Sequence, residues 1–410
     1  MTAQHRRRTI VAALASFTAS FLLAGASPTL AEPAPAATGA PAAALAPPTF
    51  THPGVYVSRG QLDFVRGRVQ AGAQPWKAAY DQMNGHALAS LSRNPKPRAV
   101  VECGPYSNPN LGCTDERQDA IAAYTNALNW YITRDQRYAT KAIQIMDAWS
   151  ATIRDHTNSN APLQTAWAGV SWAKAAEIIR HTGGGWAAAG VTRFSTMLRN
   201  VYLPKVINGH ATSNGNWELT MMEASIGIAV FLEDRSAYDR AVTKFRQRVP
   251  AFLYVTGDGA YAKGPVGSGI DTREEIIRYW HNQSTFVDGL SQETCRDFTH
   301  TGYGLASIAN FAETTRHQGQ DLYPEIGDRL RHALGFHAKY ELGEAAPSWL
   351  CGGNIKRGVG PVSEVGYNAL ANRMGHTMAN TQRLVESRRP AGTNILFVAW
   401  QTLTHANNPA

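Results

Sequence analysis

Apolar residues return at helical spacing along almost the whole chain, and no other feature restricts the fold as strongly. Ile121, Tyr124, Leu128 and Tyr131 form one stripe, and Tyr138, Ala142, Ile145 and Trp149 repeat it after the turn-like Arg134-Asp135-Gln136. The two stripes read as a helical hairpin. A polar loop from Thr152 to Pro162 leads into Leu163–His181, where Trp172, Ala175, Ala176 and Ile179 make a third stripe closed by Gly183-Gly184-Gly185. The same spacing predicts helices over Val191–Val206, Asn216–Leu232, Ser236–Leu253, Thr301–His317, Glu325–Tyr340, Glu364–Met374 and Thr381–Glu386, with an apolar last segment Ile395–Leu403. Strand signals are sparse: Val255–Lys263 suggests a short hairpin and Ile355–Val362 a small extended piece.

Many paired helices joined by short turns predict an all-α fold, an (α/α) toroid or incomplete α/α barrel with a few short strands. In such a fold an inner and an outer set of helices bury their apolar faces on each other, and a cleft opens at one end of the ring. No fixed sequence period points to a solenoid array.

The ends of the chain carry a different signal. Arg6-Arg7-Arg8, an apolar run from Ile10 to Ala24 and the small-residue sequence Thr29-Leu30-Ala31 have the layout of a secretory signal peptide, so residues 1–31 are expected to be removed and the protein exported. Residues 32–49 are mostly Ala, Pro, Gly and Thr, a composition that cannot bury a core, and read as a tether. The folded domain is expected over residues 50–410. No later segment has the apolar length of a membrane span. The formal net charge of +8 falls to about +5 once the three leader arginines are gone. A mildly basic exported protein suits a polyanionic partner, while no basic run, zinc-finger spacing or RNA-binding signature points to nucleic acid.

Cys103, Cys113, Cys295 and Cys351 are an even set in a chain expected to leave the reducing cytoplasm, so disulfides are expected. Cys103 and Cys113 bracket a Pro-, Asn- and Gly-rich loop and are paired on that ground, which leaves Cys295 with Cys351. A zinc site is the alternative, but no close Cys or His pair supports it. No metal or other cofactor is expected, because no His/Asp/Glu set has convincing ligand spacing.

Polar and aromatic residues concentrate in two places. Tyr279-Trp280-His281-Asn282-Gln283 is followed by Ser291-Gln292-Glu293-Thr294-Cys295-Arg296-Asp297-Phe298-Thr299-His300-Thr301-Gly302-Tyr303-Gly304. Ordinary helix capping, with Thr301 as N-cap, needs one or two such residues and not this many, so the segment reads as a rigid loop on which side chains converge. Thr212-Ser213-Asn214-Gly215-Asn216-Trp217-Glu218 is the second cluster, running directly into an amphipathic helix; Asn214 or Asn216 could equally be a simple N-cap.

Taken together, these segments resemble the alginate lyase superfamily of polysaccharide lyases, a group that includes mannuronate- and glucuronan-specific enzymes on α/α toroids. The resemblance also covers Asp119-Ala120-x-Ala122-Ala123-Tyr124, Tyr138-Ala139-x-Lys141-Ala142, Leu163-Gln164-x-Ala166-Trp167, and Glu364-x-x-Tyr367-Asn368 followed by Arg373. It implies that Asn216 neutralises a substrate carboxylate and that Arg296 and Tyr303, seven residues apart, complete the site. Where the family often has a His directly after the Asn, this chain has Trp217, which leaves His281 or His300 to replace it.

The implied chemistry is β-elimination on a uronic-acid-containing polysaccharide. The enzyme must offset the uronate carboxylate and stabilise an enolate-like intermediate, for which Asn216, Arg296 and a His are suitable donors. Tyr303 is the candidate base and acid, with Arg296 expected to lower its pKa. On a straight helix the two would lie roughly 10 Å apart, so Arg296 is expected in the loop and Tyr303 in the first helical turn. Gln164, Trp167, Trp217, Trp280, Tyr367, Asn368 and Arg373 are the substrate-binding candidates, since sugar faces stack on aromatics while amides and arginines fix hydroxyls and carboxylates. An α/α glycoside hydrolase is the first alternative and would need two facing acids from Asp258, Asp271, Glu274 and Glu293. A non-catalytic binder of acidic glycans is the second.

Overall fold

The computed structural model describes residues 49–410. The expected signal peptide and all but the last residue of the expected tether lie outside these described residues. Helices dominate, in the order α1 (Arg59–Gln70), α2 (Trp76–Asn84), α3 (Cys113–Thr133), α4 (Gln136–Thr152), α5 (Ala161–His181), α6 (Ala188–Met197), α7 (Leu203–Val206), α8 (Gly215–Leu232), α9 (Arg235–Phe252), α10 (Arg273–Tyr279), α11 (Phe298–His317), α12 (Tyr323–Glu341), α13 (Glu364–Tyr367), α14 (Ala379–Arg388) and α15 (Gln401–His405).

Sequence composition sorts these helices into two layers. Helices α3, α5, α8 and α11 are rich in Ala, Gly, Ser and Thr and are buried on nearly every side; each packs on the next, α3 on α5, α5 on α8 and α8 on α11. Small residues let them approach closely. A Cβ on Gly169 of α5 would sit in ordinary contact, 3.4 Å from Ala224 of α8, and one on Gly227 of α8 would sit 3.1 Å from Ala173 of α5, close enough that the neighbour must give by a few tenths of an ångström. Helices α4, α9 and α12 bury one face only, as in the Ala139, Ala142, Ile145, Met146 and Trp149 stripe of α4, and cover α3, α8 and α11 from outside. Helices α13, α15 and α1 complete the inner ring between α11 and α3. The architecture is an α/α toroid.

Both disulfides form as expected, Cys103 with Cys113 and Cys295 with Cys351. The strands do not. Three short strands, β1 (Val100–Cys103), β2 (Asn110–Leu111) and β3 (Asp155–Thr157), pair in the order β2-β1-β3, antiparallel on one side of β1 and parallel on the other. The expected hairpin at Val255–Lys263 is instead a 3₁₀ turn, Thr256–Asp258, followed by irregular chain, and Ile355–Val362 makes no ladder. Only the end of the segment Ile395–Leu403 joins a helix, because Ile395 and Trp400 take positive φ.

Near the start of the described chain, Gly54 donates its N–H to the buried Glu177 carboxylate at 3.0 Å, and the His52 ring stacks on His181 of α5 at 4.1 Å. The rings lie 9° from parallel. Their in-plane lone pairs therefore do not converge, and the group clamps the N-terminal segment onto α5. No helix among the described residues is long and apolar enough to cross a membrane.

Candidate active site

A cleft of 560 Å³ opens where the N-terminal ends of α5, α8 and α11 meet the loop before α3 and the end of α10. Each helix start carries partial positive charge from unpaired N–H groups, so the position favours an anion. The lining agrees with that polarity. Arg278, Arg296, His281 and His300 reach it, as do Tyr279, Tyr303, Trp167, Trp217 and Tyr106, and no Asp or Glu does.

Asp297 starts α11, its carboxylate accepting the His300 N–H at 2.8 Å. Asp297, and not Thr301, is thus the N-cap, and Tyr303 falls in the second turn of the helix instead of the first. The same carboxylate accepts from His300 Nδ1 at 2.7 and 2.8 Å, which orients the ring. Burial acts to raise the Asp297 pKa, but the His300 hydrogen bonds and the charge of Arg296 hold it below the ordinary carboxylate range. The His300 ring meets Tyr303 edge-on at 5.5 Å, and Phe397 packs on Tyr303 at 5.9 Å. Tyr303 is half-buried against these rings and still lines the cleft.

Its ionisation departs from the sequence expectation. Burial, followed by the Asp297 carboxylate, pushes the Tyr303 phenol above its ordinary value; Arg117 and then Arg296 pull the other way without winning. Arg117 was not among the sequence candidates. It lies with its guanidinium 5.3 Å from the Trp167 ring centre, held by Gln164 at 2.8 Å and Ser107 at 3.2 Å. On sequence grounds it is one more polar residue in the first turns of α3, and only the fold brings it to the phenol.

His281 follows α10 with φ of 54°, a left-handed conformation that turns the chain back after the helix. Burial lowers its pKa, a shift the Glu293 charge opposes and does not cancel, so the imidazole is neutral near neutral pH. Its Nε2 is buried and makes no hydrogen bond in the protein. Tyr279, also missed among the sequence candidates, donates its hydroxyl to the Ser213 carbonyl at 2.6 Å and ties α10 to the loop before α8; burial, opposed by Arg248, pushes its pKa up to about 12.

Several candidates stand elsewhere. Asn216 is fully buried and does not line the cleft: its Nδ2 donates to the Glu293 oxygens at 2.7 and 2.8 Å, and its backbone N–H to the same carboxylate at 3.0 Å. Gln164 is buried too, bridging Arg117 and Glu116. Trp280 points inward against Phe286, its neighbours Tyr279 and His281 taking the cleft side. Tyr367 and Asn368 are core residues, Asn368 donating to the Asn408 carbonyl at 2.8 Å. Arg373 spends its fork on the buried Glu313, at 2.7 and 2.6 Å. Direct sugar contact requires access that the five buried side chains lack, and Arg373, partly exposed, lies outside the cleft lining. Of the seven binding candidates, Trp167 and Trp217 reach the cleft.

A helical toroid whose cleft gathers arginine, histidine, tyrosine and tryptophan, with no acid in its lining, defines the class: the protein is a polysaccharide lyase. The family model described as alginate lyase matches residues 83–347, and the chain belongs to that family. It is similar in fold to alginate lyase A1-III from Sphingomonas species A1, with a TM-score of 0.57 at 14% identity over 87% of this chain and 97% of that one. It is also similar to a tyrosine-to-phenylalanine variant of that lyase complexed with tetrasaccharide (TM-score 0.58, 16% identity, 87% and 97% covered). An alginate lyase from Bacteroides ovatus aligns with a TM-score of 0.53 at 12% identity over 87% and 99%. No curated protein matches the chain in sequence.

Proposed function

We infer that this lyase is exported and cleaves a uronic-acid-containing polysaccharide, alginate- or glucuronan-like, by β-elimination in the cleft between α5, α8 and α11. The observation that carries the reading is the lining: two arginines, two histidines, three phenols and no carboxylate. A hydrolase would need a pair of acids across this space. Asp258 is taken up by Arg329 and Lys263, and Glu293 by Asn216 and Arg296. A polyuronate meets the complementary charge, and the solved lyase complexes with tetrasaccharide fit the same substrate class.

In the reaction the proton beside the uronate carboxylate leaves, the glycosidic C–O bond at the β carbon breaks, a C=C bond forms, and the leaving oxygen gains a proton. Arg296, lining the cleft, offsets the carboxylate as charge builds toward the enolate. Environments that push two pKa values apart mark acid and base. The phenol of Tyr303, raised, keeps its proton for the leaving oxygen, while neutral His281, half-buried and lining the cleft, accepts the proton from carbon. His281 thereby supplies the imidazole that Trp217 displaces from the residue after Asn216. His300, fixed by Asp297 beside the phenol, orients it.

Incubation of the purified protein with polymannuronate, polyguluronate and polyglucuronate, read by ultraviolet absorbance of the unsaturated product, tests the reading. Absorbance should rise with at least one polymer. Reducing ends without absorbance would mean hydrolysis, and binding with neither would mean a non-catalytic glycan binder. His281→Ala should lose most of the activity; if it does not, Tyr303 serves as both base and acid.

A further inference from the structure

We propose that Glu293 is a positioning residue of this reaction: its carboxylate, out of the substrate's reach, fixes the Arg296 guanidinium and the first turn of α8 at the cleft floor. The inference rests on the lyase reading of the cleft and concerns a residue outside its lining.

Glu293 has no solvent exposure, and a buried carboxylate is costly unless fully paired. Its pairing is specific. Oε1 accepts from Arg296 Nη1 at 2.7 Å and from Asn216 Nδ2 at 2.7 Å, and Oε2 accepts from Asn216 Nδ2 at 2.8 Å and from the Asn216 backbone N–H at 3.0 Å. One guanidinium nitrogen is thus committed, and Arg296 itself lines the cleft. The neighbouring Gln292 repeats the device. Its Oε1 accepts the Gly215 N–H at 2.8 Å, and its Nε2 donates to Asn214 Oδ1 at 2.9 Å and to the Tyr279 carbonyl at 2.6 Å.

This dipeptide therefore staples three walls: the start of α8, the end of α10 beside His281, and the Arg296 loop. The loop is itself anchored by the Cys295–Cys351 disulfide and by the Gln292 N–H on the Phe252 carbonyl at 2.8 Å. In this arrangement Asn216 acts through Glu293 and not on the substrate, since its amide N–H groups already face the carboxylate. The Glu293 charge also reaches His281, favouring the protonated imidazole.

A misplacement of about 1 Å in a group that stabilises developing charge can cost on the order of 100-fold in rate. Glu293→Gln should therefore lower kcat roughly 10- to 100-fold with KM changed less than about twofold, because the loss falls on the transition state. With the anion gone, the acid limb of kcat/KM should also move to lower pH, as His281 becomes harder to protonate. A purely structural role would lower the melting temperature and leave kcat per folded molecule and the acid limb unchanged; that result overturns the proposal. Should the Gln variant not fold, Glu293→Asp, which keeps the anion but shortens its reach, decides by the same kinetics, and wild-type kcat there overturns it equally. If the wild type itself releases no unsaturated product, the lyase reading fails separately. The positioning claim is then read from side-chain NMR of Arg296, which should broaden or shift in Glu293→Gln and overturns the claim if it does not.

Discussion

Two buried carboxylates, Glu293 just before α11 and Glu313 near its end, each hold arginine, and they differ in how much of the arginine they use. Glu313 takes both Nη atoms of Arg373, one of Arg316, the Gln61 amide at 2.8 Å and the Tyr323 hydroxyl at 3.1 Å. It binds α11 to α1, α12 and the segment after α13, and commits both Nη atoms of Arg373. Burial would raise its pKa, but Arg373, His317 and Arg316 hold it well below the ordinary carboxylate range. Glu293 takes one Nη of Arg296, a residue that lines the cleft. The difference teaches that a buried acid makes an arginine structural when it saturates the fork, and functional when it aims an unsaturated one.

The sharpest break of that comparison is at the cleft end. Tyr303→Phe removes the phenolic proton and nothing that holds α11 in place, since its ring contacts with His300 and Phe397 remain. Formation of the unsaturated product should fall by about 10²- to 10⁴-fold, with the melting temperature nearly unchanged. Activity within a few-fold of wild type would take the phenol out of the chemistry.

At the other end the expected pattern inverts. Glu313→Gln leaves Arg373 and Arg316 with an uncompensated burial cost, and breaking a buried pair costs about 3–5 kcal/mol. Denaturant unfolding should show that loss, while kcat/KM of the folded fraction stays within about twofold. Arg373→Met should behave likewise, destabilised with KM unchanged. A KM rise in Arg373→Met on its own, without a loss of stability, would return Arg373 to substrate binding and dissolve the distinction between the two ends.

The sequence carried the toroid because the signal for it is periodic and local: a stripe such as Ile121, Tyr124, Leu128 and Tyr131 needs no partner to be read. Pairing of the cysteines followed from the loop between Cys103 and Cys113, again a local feature. The cluster from Ser291 to Tyr303 was legible as a site through its density of polar side chains. What stayed hidden depends on direction and on distant partners. Asn216 and Glu293 are 77 residues apart, so nothing in the motif shows the amide turned away from the cleft. Tyr279, Trp280 and His281 are adjacent, yet Trp280 is in the core and the other two line the cleft. Strands of two to four residues are too short for a period of two to register.

Acid should act on the scaffold more than on the site. The imidazoles of His317, His337 and His405 are enclosed and neutral, with pKa values lowered by burial to about 4, about 4 and about 3. Unfolding returns each to about 6.5. The unfolded chain therefore binds more protons between pH 6.5 and 4, so the stability these groups contribute is complete above pH 6.5 and is lost progressively as pH falls through that window. Each contributes a slope of up to about 1.4 kcal/mol per pH unit. Glu313, with its depressed pKa, adds a loss of the same sign at still lower pH. Unfolding midpoints measured from pH 7 to 4 should fall steadily, and His405→Gln should flatten the curve. A stability flat across this range would mean that these imidazoles are protonated in the folded chain.

The smallest expected effect separates the tryptophans. Trp217 lines the cleft half-buried and meets His210 edge-on at 5.9 Å, whereas Trp280 is enclosed beside Phe286. Removal of a stacking ring from a sugar site costs about 0.5–1.5 kcal/mol, so Trp217→Ala should raise KM by roughly 2- to 12-fold with little change in unfolding. Trp280→Ala empties part of the core and should cost about 3–5 kcal/mol of stability with KM unchanged once the protein is folded. Equal KM effects from the two would mean that the cleft reorganises when substrate enters, and that exposure in the free protein is a poor guide to which rings touch sugar.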